Sequence, residues 1–166
     1  MRRIHWAGLS GITGLAVALL CAPAASAATP PPDGLPDRGG EEVFQIVARQ
    51  TQIEHLDLGT RGPSLGDEIV HSGEILRNGS VVGVFGEVCT TVRAGHEADE
   101  DDLQCLGTAK LPEGQFTTHG LASGSGHEPT EVAITGGTGA YRTAHGYIHS
   151  VPISSTENRI TVHLIR

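Results

Sequence analysis

The stretch AITGGTGAYRTAHGYI, residues 133–148, decides between a nucleotide-binding fold, a β-barrel and a linker. Three glycines fall within four positions, from Gly136 to Gly139, but a Walker-type phosphate loop would need a lysine directly after them. No lysine follows, and the next segment, HGYIHSVPI, is typical of a strand, not of a helix whose N-terminus binds phosphate. We therefore exclude a phosphate site and interpret the glycines as a tight, positive-φ connection between two strands.

Short segments rich in Val, Ile, Thr and Phe recur between turn signals along the rest of the chain. Asn78-Gly79 suits a two-residue hairpin turn because both residues tolerate positive φ, and Pro112-Glu113-Gly114 predicts a second turn. The predicted strands are 43–50 (extending to 56 at most), 67–76, 80–93, 103–111, 115–122, 130–135, 143–151 and 158–165. Eight strands joined by short connections predict an all-β fold, an eight-stranded antiparallel β-barrel, with a β-sandwich as the alternative.

The third predicted strand has two different faces. One carries Val82, Val84, Gly86, Val88, Thr90 and Val92, and the other carries Val81, Gly83, Phe85, Glu87, Cys89, Thr91 and Arg93. Either the valine face is the core and the mixed face is in solvent, or the mixed face lines a cavity and the valine face packs on another subunit. The pattern alone favours neither arrangement.

Cys89 and Cys105 lie on either side of the acidic segment AGHEADEDD, which is typical of a solvated hairpin loop. If the hairpin is symmetric about residue 97, the two cysteines face each other, at a spacing that allows a disulfide. The alternative is a free catalytic thiol, which needs a base or a positive neighbour, and His96 is a weak candidate for that role. We predict the Cys89–Cys105 disulfide.

The N-terminus is typical of an exported protein. Residues 1–27 combine two arginines, a short apolar run and an Ala-Ser-Ala site, which predicts a signal peptide cleaved after Ala27. The uninterrupted apolar run, residues 15–22, is too short to span a bilayer, so we expect a secreted protein without membrane insertion. Residues 28–40, rich in Pro and Gly, predict a disordered leader, and residues 41–166 predict the barrel domain.

The charge of the chain limits its partners. The whole chain has 11 Lys+Arg and 19 Asp+Glu, and removal of Arg2 and Arg3 with the signal peptide leaves 9 against 19, a net charge of −10. Such a charge repels nucleic acid and anionic membrane surfaces, so we expect neither as a partner.

Three segments together resemble one family. ITGGTGAYRTAHGYI is similar to the I-x-GG-x-G-x-[FY]-x-x-A-x-G segment shared by allene oxide cyclases and dirigent proteins. SLGDEIVHSGEILRNGSVVGVFGEVCTTV, residues 64–92, resembles the L-G-D opening, hairpin and third strand of this superfamily. LQCLGTAKLPEGQFTTHGLA, residues 103–122, resembles its next hairpin. The resemblance covers most of residues 43–166 and is stronger to the secreted actinobacterial branch than to the plant enzymes.

The resemblance implies an antiparallel barrel, often a homotrimer, whose apolar cavity binds a small hydrophobic molecule. Plant relatives hold a reactive intermediate there while it cyclises or couples, which is catalysis by positioning and electrostatics without a cofactor. The alternative is a non-catalytic secreted barrel that binds a ligand or another extracellular partner. Three positions depart from the family: a disulfide would occupy the cavity cysteine at Cys89, His145 replaces the usual dirigent arginine, and Glu54 lies late for the first-strand carboxylate.

Six residues are candidates for the ligand site. They are Asp67, Phe85, Glu87, Tyr141, Arg142 and His145, with Glu87, Arg142 and His145 as the candidate catalytic residues. Asp67 at the strand start is either solvated or part of the barrel mouth. We place Tyr141, Arg142 and His145 at the cavity mouth and expect Arg142 to anchor a carboxylate-bearing ligand, because a guanidinium binds carboxylates in a bidentate manner. His145, Tyr147 and His149 alternate on one face, but two histidines without a third nearby ligand do not predict a metal site. We expect neither a metal nor a cofactor.

Overall fold

The computed structural model describes residues 40–95 and 100–165, which form a closed antiparallel barrel in which the strands follow one another in chain order. Its strands are β1 (Glu42–Leu56), β2 (Glu68–Arg77), β3 (Ser80–Arg93), β4 (Asp102–Leu111), β5 (Gly114–Ser123), β6 (Thr130–Gly137), β7 (His145–Pro152) and β8 (Glu157–Ile165). The predicted barrel is confirmed, and the sandwich alternative is wrong because β8 pairs with β1 and closes the sheet.

The N-terminal predictions fall mostly outside this part of the chain. The signal peptide, its cleavage site after Ala27 and residues 28–39 of the predicted leader lie outside the described residues. Within the described ranges, no helix is both long and apolar enough to cross a membrane.

The hairpin between β2 and β3 contains a register shift. Its turn has the predicted conformation, with φ of 53° at Asn78 and 79° at Gly79. Leu76 then pairs with Val81, whereas Ile75 pairs with Gly83, so Val82 is an extra residue in β3. Such a β-bulge places two residues of one strand opposite one residue of its partner.

The bulge decides which way β3 faces. Phe85 and Glu87 are half-buried, Cys89 and Thr91 are buried, and three of these four line the interior cavity described below. The valines at positions 84, 88 and 92 are exposed on the outside of the barrel. The mixed face is therefore the inner one. The predicted alternation is wrong before the bulge, since Val81 is exposed and Val82 packs against the core.

The hairpin between β3 and β4 has the predicted register. Cys89 pairs with Cys105 across the two strands, and the structure contains a disulfide between them. Both cysteines are buried beside Leu103 on the inner face of the sheet. A bond that closes a loop of this size stabilises a protein by about 2–4 kcal/mol, because it restricts the unfolded chain.

The glycine-rich connection forms the floor of the barrel. Gly136 and Gly139 have positive φ, 141° and 60°, but Gly137 does not, so the prediction of a positive-φ connection is right at two of three positions. A 3₁₀ turn (Gly139–Tyr141) follows and carries Tyr141, which is 2% exposed, against the ring of Phe116 at 5.5 Å. The floor is part of a core cluster of Ile46, Ile75, Leu111, Phe116, Ile134, Tyr141, Ala144, Ile160, Val162 and Leu164.

Candidate functional site

A cavity of about 490 Å³ occupies the barrel above this floor. Its walls are apolar towards the floor, where Ile75, Phe116 and Ile160 line it. Its rim at the other end is polar. It consists of residues 123–128, from the end of β5 into the following loop, and residues 154–157, from the loop after β7 to the start of β8. An apolar interior with a few polar groups is typical of a site for a small hydrophobic molecule.

One polar group in the wall of the cavity is the pair formed by His71 and Glu87. His71 Nε2 lies 2.7 Å from Glu87 Oε2, and both side chains are largely buried, at 20% and 27% exposed. The ring of Phe85 meets the His71 imidazole edge to face, with centroids 5.9 Å apart. A carboxylate and an imidazole in contact are the side chains that most often transfer protons in enzymes.

The absence of a side chain at Gly107 makes room for this pair. His71, Glu87, Gly107 and Thr118 are successive cross-strand partners on β2 to β5. A Cβ atom at Gly107 would lie 2.6 Å from Thr118 Oγ1 and 3.3 Å from Glu87 Oε1. The glycine therefore leaves the space in which these two oxygens approach the wall.

The bulge at Val82 brings His71 and Glu87 together. The Asn78-Gly79 turn alone would continue the register of Leu76 with Val81 and place His71 opposite Gly86. Glu87 would then pair with the outward-facing Val70, because a shift of one residue moves every side chain to the other face. With the bulge, Glu87 faces inward opposite His71.

The predicted site residues separate into two groups. Phe85 and Glu87 line the cavity, whereas Asp67, Tyr141, Arg142 and His145 are absent from its lining. Asp67 instead holds the segment before β2: its carboxylate accepts hydrogen bonds from the backbone N–H groups of Leu58 at 2.8 Å and Ser64 at 2.7 Å. These bonds, that from Leu58 above all, lower the pKa of the Asp67 carboxyl.

Tyr141, Arg142 and His145 belong to the closed end of the barrel. Tyr141 is part of the floor, and Arg142 and His145 are exposed, so the prediction that the three line the cavity mouth finds no support in this geometry. On the outer face of β7, Tyr147 stacks on His163 with ring centroids 4.3 Å apart. His149 Nδ1 lies 3.3 Å from Glu131 Oε1 on the neighbouring strand.

His71 was not among the site residues predicted from the sequence. The only available signal was the alternation Ile69, His71, Gly73, Ile75 in β2, which places the histidine on the apolar face of a strand.

Ligand atoms of His71, Glu87 and Cys89 lie within 4.8 Å of one another, as in a metal site. Because the sulfur of Cys89 is bonded to Cys105, it offers no thiolate to a metal.

The fold and the cavity define a closed antiparallel β-barrel whose largely apolar internal pocket has a His–Glu pair in its wall. Residues 47–164 match the allene oxide cyclase barrel-like domain, and the chain belongs to that family. No curated protein sequence matches the chain at a significant level.

Solved structures share this fold at low sequence identity. A pyocyanin demethylase is similar with a TM-score of 0.67 and 24% identity, over 74% of this chain and 99% of that one. The Diels-Alderase AbmU from Streptomyces koyangensis has a TM-score of 0.63 and 14% identity, over 79% and 70% of the two chains. A pterocarpan synthase dirigent protein has a TM-score of 0.60 and 16% identity, over 76% and 85%. At these identities the similarity shows the shared barrel.

Proposed function

We propose that this protein is a secreted barrel that binds one small hydrophobic molecule in its cavity and steers the cyclisation or coupling of that molecule. The observation that carries the proposal is the His71–Glu87 pair on the wall of an otherwise largely apolar cavity. The family and the reactions named for its structural relatives, a Diels-Alderase and a dirigent protein among them, support it. Export is supported by the pattern of residues 1–27 and by the disulfide.

The chemistry follows from the shape and the pair. A cavity that holds a flexible molecule in one reactive conformation lowers the barrier of the reaction, because the entropy of ordering is lost on binding and not in the reaction step. In this proposal Glu87 accepts a proton from the ligand, and the imidazole of His71, whose Nε2 lies 2.7 Å from Glu87 Oε2, stabilises the carboxylate. The apolar walls keep water away from a reactive intermediate.

Binding is tested with N-phenylnaphthylamine, a neutral dye whose fluorescence rises in apolar surroundings. Ala122 lines the cavity and Ala133 is exposed on the outer face of β6. We expect Ala122→Phe to weaken dye binding because the ring takes up space inside the cavity, and Ala133→Phe to leave it unchanged. A wild-type protein that does not bind the dye, or equal binding by the two variants, would refute a ligand site in the barrel.

Catalysis is tested with compounds that displace the dye. Glu87→Gln keeps the size of the side chain and removes its ability to take up a proton. The variant should still bind such a compound but convert it at least ~100-fold more slowly than the wild type, the usual contribution of a general base. Glu131→Gln, in the outer His149 pair, is the matched control. Recovery of every such compound unchanged from the wild type would instead favour the non-catalytic, ligand-binding barrel.

The proposal includes assembly of the barrel into a homotrimer. Val70, Val88 and Leu106 are cross-strand partners on β2, β3 and β4, and all three are exposed on the outer surface, Leu106 at 60%. A contiguous exposed apolar row of this kind is typical of a contact between proteins. We expect light scattering to give a trimer mass, and Leu106→Glu to reduce it to that of a monomer without unfolding. A monomer mass for the wild type would overturn this part of the proposal.

A further inference from the structure

The charged groups around the cavity indicate which molecules it accepts. We infer that the cavity takes a hydrophobic molecule whose polar end is an amine or a hydroxyl, and that it rejects carboxylates. This inference rests on the proposed function, because it names the class of ligand for the same site.

The first observation is the sign of the lining charges. In the ranges that the structure describes, neither lysine nor arginine lines the cavity. Its ionisable side chains are three carboxylates and three histidines: Glu87, Glu128, Glu157, His55, His71 and His127. An anionic ligand would leave water without meeting a permanent positive charge, which is costly in an apolar site.

The guanidinium that contacts the rim residue Glu157 is already bound. Arg49 Nε lies 2.7 Å from Glu157 Oε1, and Arg49 Nη1 lies 3.7 Å from Glu74 Oε2. Two carboxylates therefore contact this arginine. Their negative charges offset its positive charge, so it attracts an anionic ligand little. Arg142, the predicted anchor for a carboxylate, is exposed and outside the lining.

The second observation is an available acceptor inside the cavity. Glu87 Oε2 lies 2.7 Å from His71 Nε2, whereas Oε1, across the space left by Gly107, accepts no hydrogen bond from the residues that the structure describes. A carboxylate oxygen can only accept hydrogen bonds. A ligand that satisfies Oε1 must therefore carry a donor, such as an ammonium or a hydroxyl group, and an ammonium adds charge attraction.

The test uses three compounds with one skeleton: naphthylethylamine, naphthylethanol and naphthylacetic acid. Each competes with N-phenylnaphthylamine for the wild-type protein at pH 8 and low ionic strength, where free histidine is neutral. We expect the amine to bind most tightly and the acid to bind at least about tenfold more weakly than the alcohol, because its charge is buried unpaired. Glu87→Gln should weaken amine binding about tenfold and alcohol binding less. The control Glu131→Gln should change neither.

The outcomes separate the two proposals. Competition by the acid equal to that by the amine, or an unchanged amine affinity in Glu87→Gln, would overturn the inference while dye binding upholds the ligand site. Failure of the dye and of all three compounds to bind would refute the proposed function, and the inference with it.

Discussion

Replacement of Tyr141 by alanine is expected to lower the free energy of unfolding by about 3–5 kcal/mol, the usual cost of removing a buried aromatic ring. The ring is 2% exposed and packs edge to face on Phe116, so its removal leaves a cavity in the floor of the barrel. Urea unfolding followed by circular dichroism measures the change. Tyr141 was instead predicted from the sequence to line the cavity mouth, a role in which its replacement by alanine would change stability little.

Tyr147→Ala is the matched control for this experiment. Tyr147 is 39% exposed on the outer face of β7 and its ring contacts His163. Loss of an exposed aromatic pair costs about 0.5–1.5 kcal/mol, well below the cost of the buried ring. Equal destabilisation by the two variants would show that Tyr141 does not hold the floor together.

Gly137→Val should destabilise the protein by about 3 kcal/mol, or prevent folding, because it overpacks a closed region. The φ of Gly137 is not positive, so the cause is close packing and not the positive-φ strain predicted from the sequence for this connection. A Cβ atom at this position would overlap the carbonyl oxygen of Gln115 and lie 2.8 Å from Tyr141 Cβ. Thermal and urea unfolding of the purified variant measure the effect.

Gly86→Val makes the same chemical change in an open position. Gly86 lies within β3, and a Cβ atom there would have no other atom within 4 Å. Because valine favours strands, we expect this variant to be as stable as the wild type or slightly more stable. If Gly137→Val proved equally harmless, the close approach of β5 and the floor turn would not constrain this position.

The fold could be predicted because its signals are local. Asn78-Gly79 fixes one turn, and the spacing of Cys89 and Cys105 about residue 97 gave the correct register of the next hairpin. Turn residues and period-two alternation act over a few residues, and both are visible in a sequence.

The candidate site could be predicted only in part. Phe85 and Glu87 were identified, but their inward direction depends on the bulge at Val82, which no residue type in the run SVVGVFG marks. His71 is placed in the site by the same register shift. Tyr141 was misplaced because a tyrosine after glycines suits either end of a barrel, and only the closed sheet shows which end it occupies.

The division of the barrel into a floor and a rim has a consequence for how such proteins diversify. The floor is built from one connection, residues 136–141, locked against its neighbours, whereas residues 123–128 and 154–157 form the rim outside the main core cluster. Loops of this kind tolerate insertion and exchange far better than packed interiors do. A lineage can therefore acquire new ligands by replacing two loops while it inherits its folding stability unchanged from the opposite end.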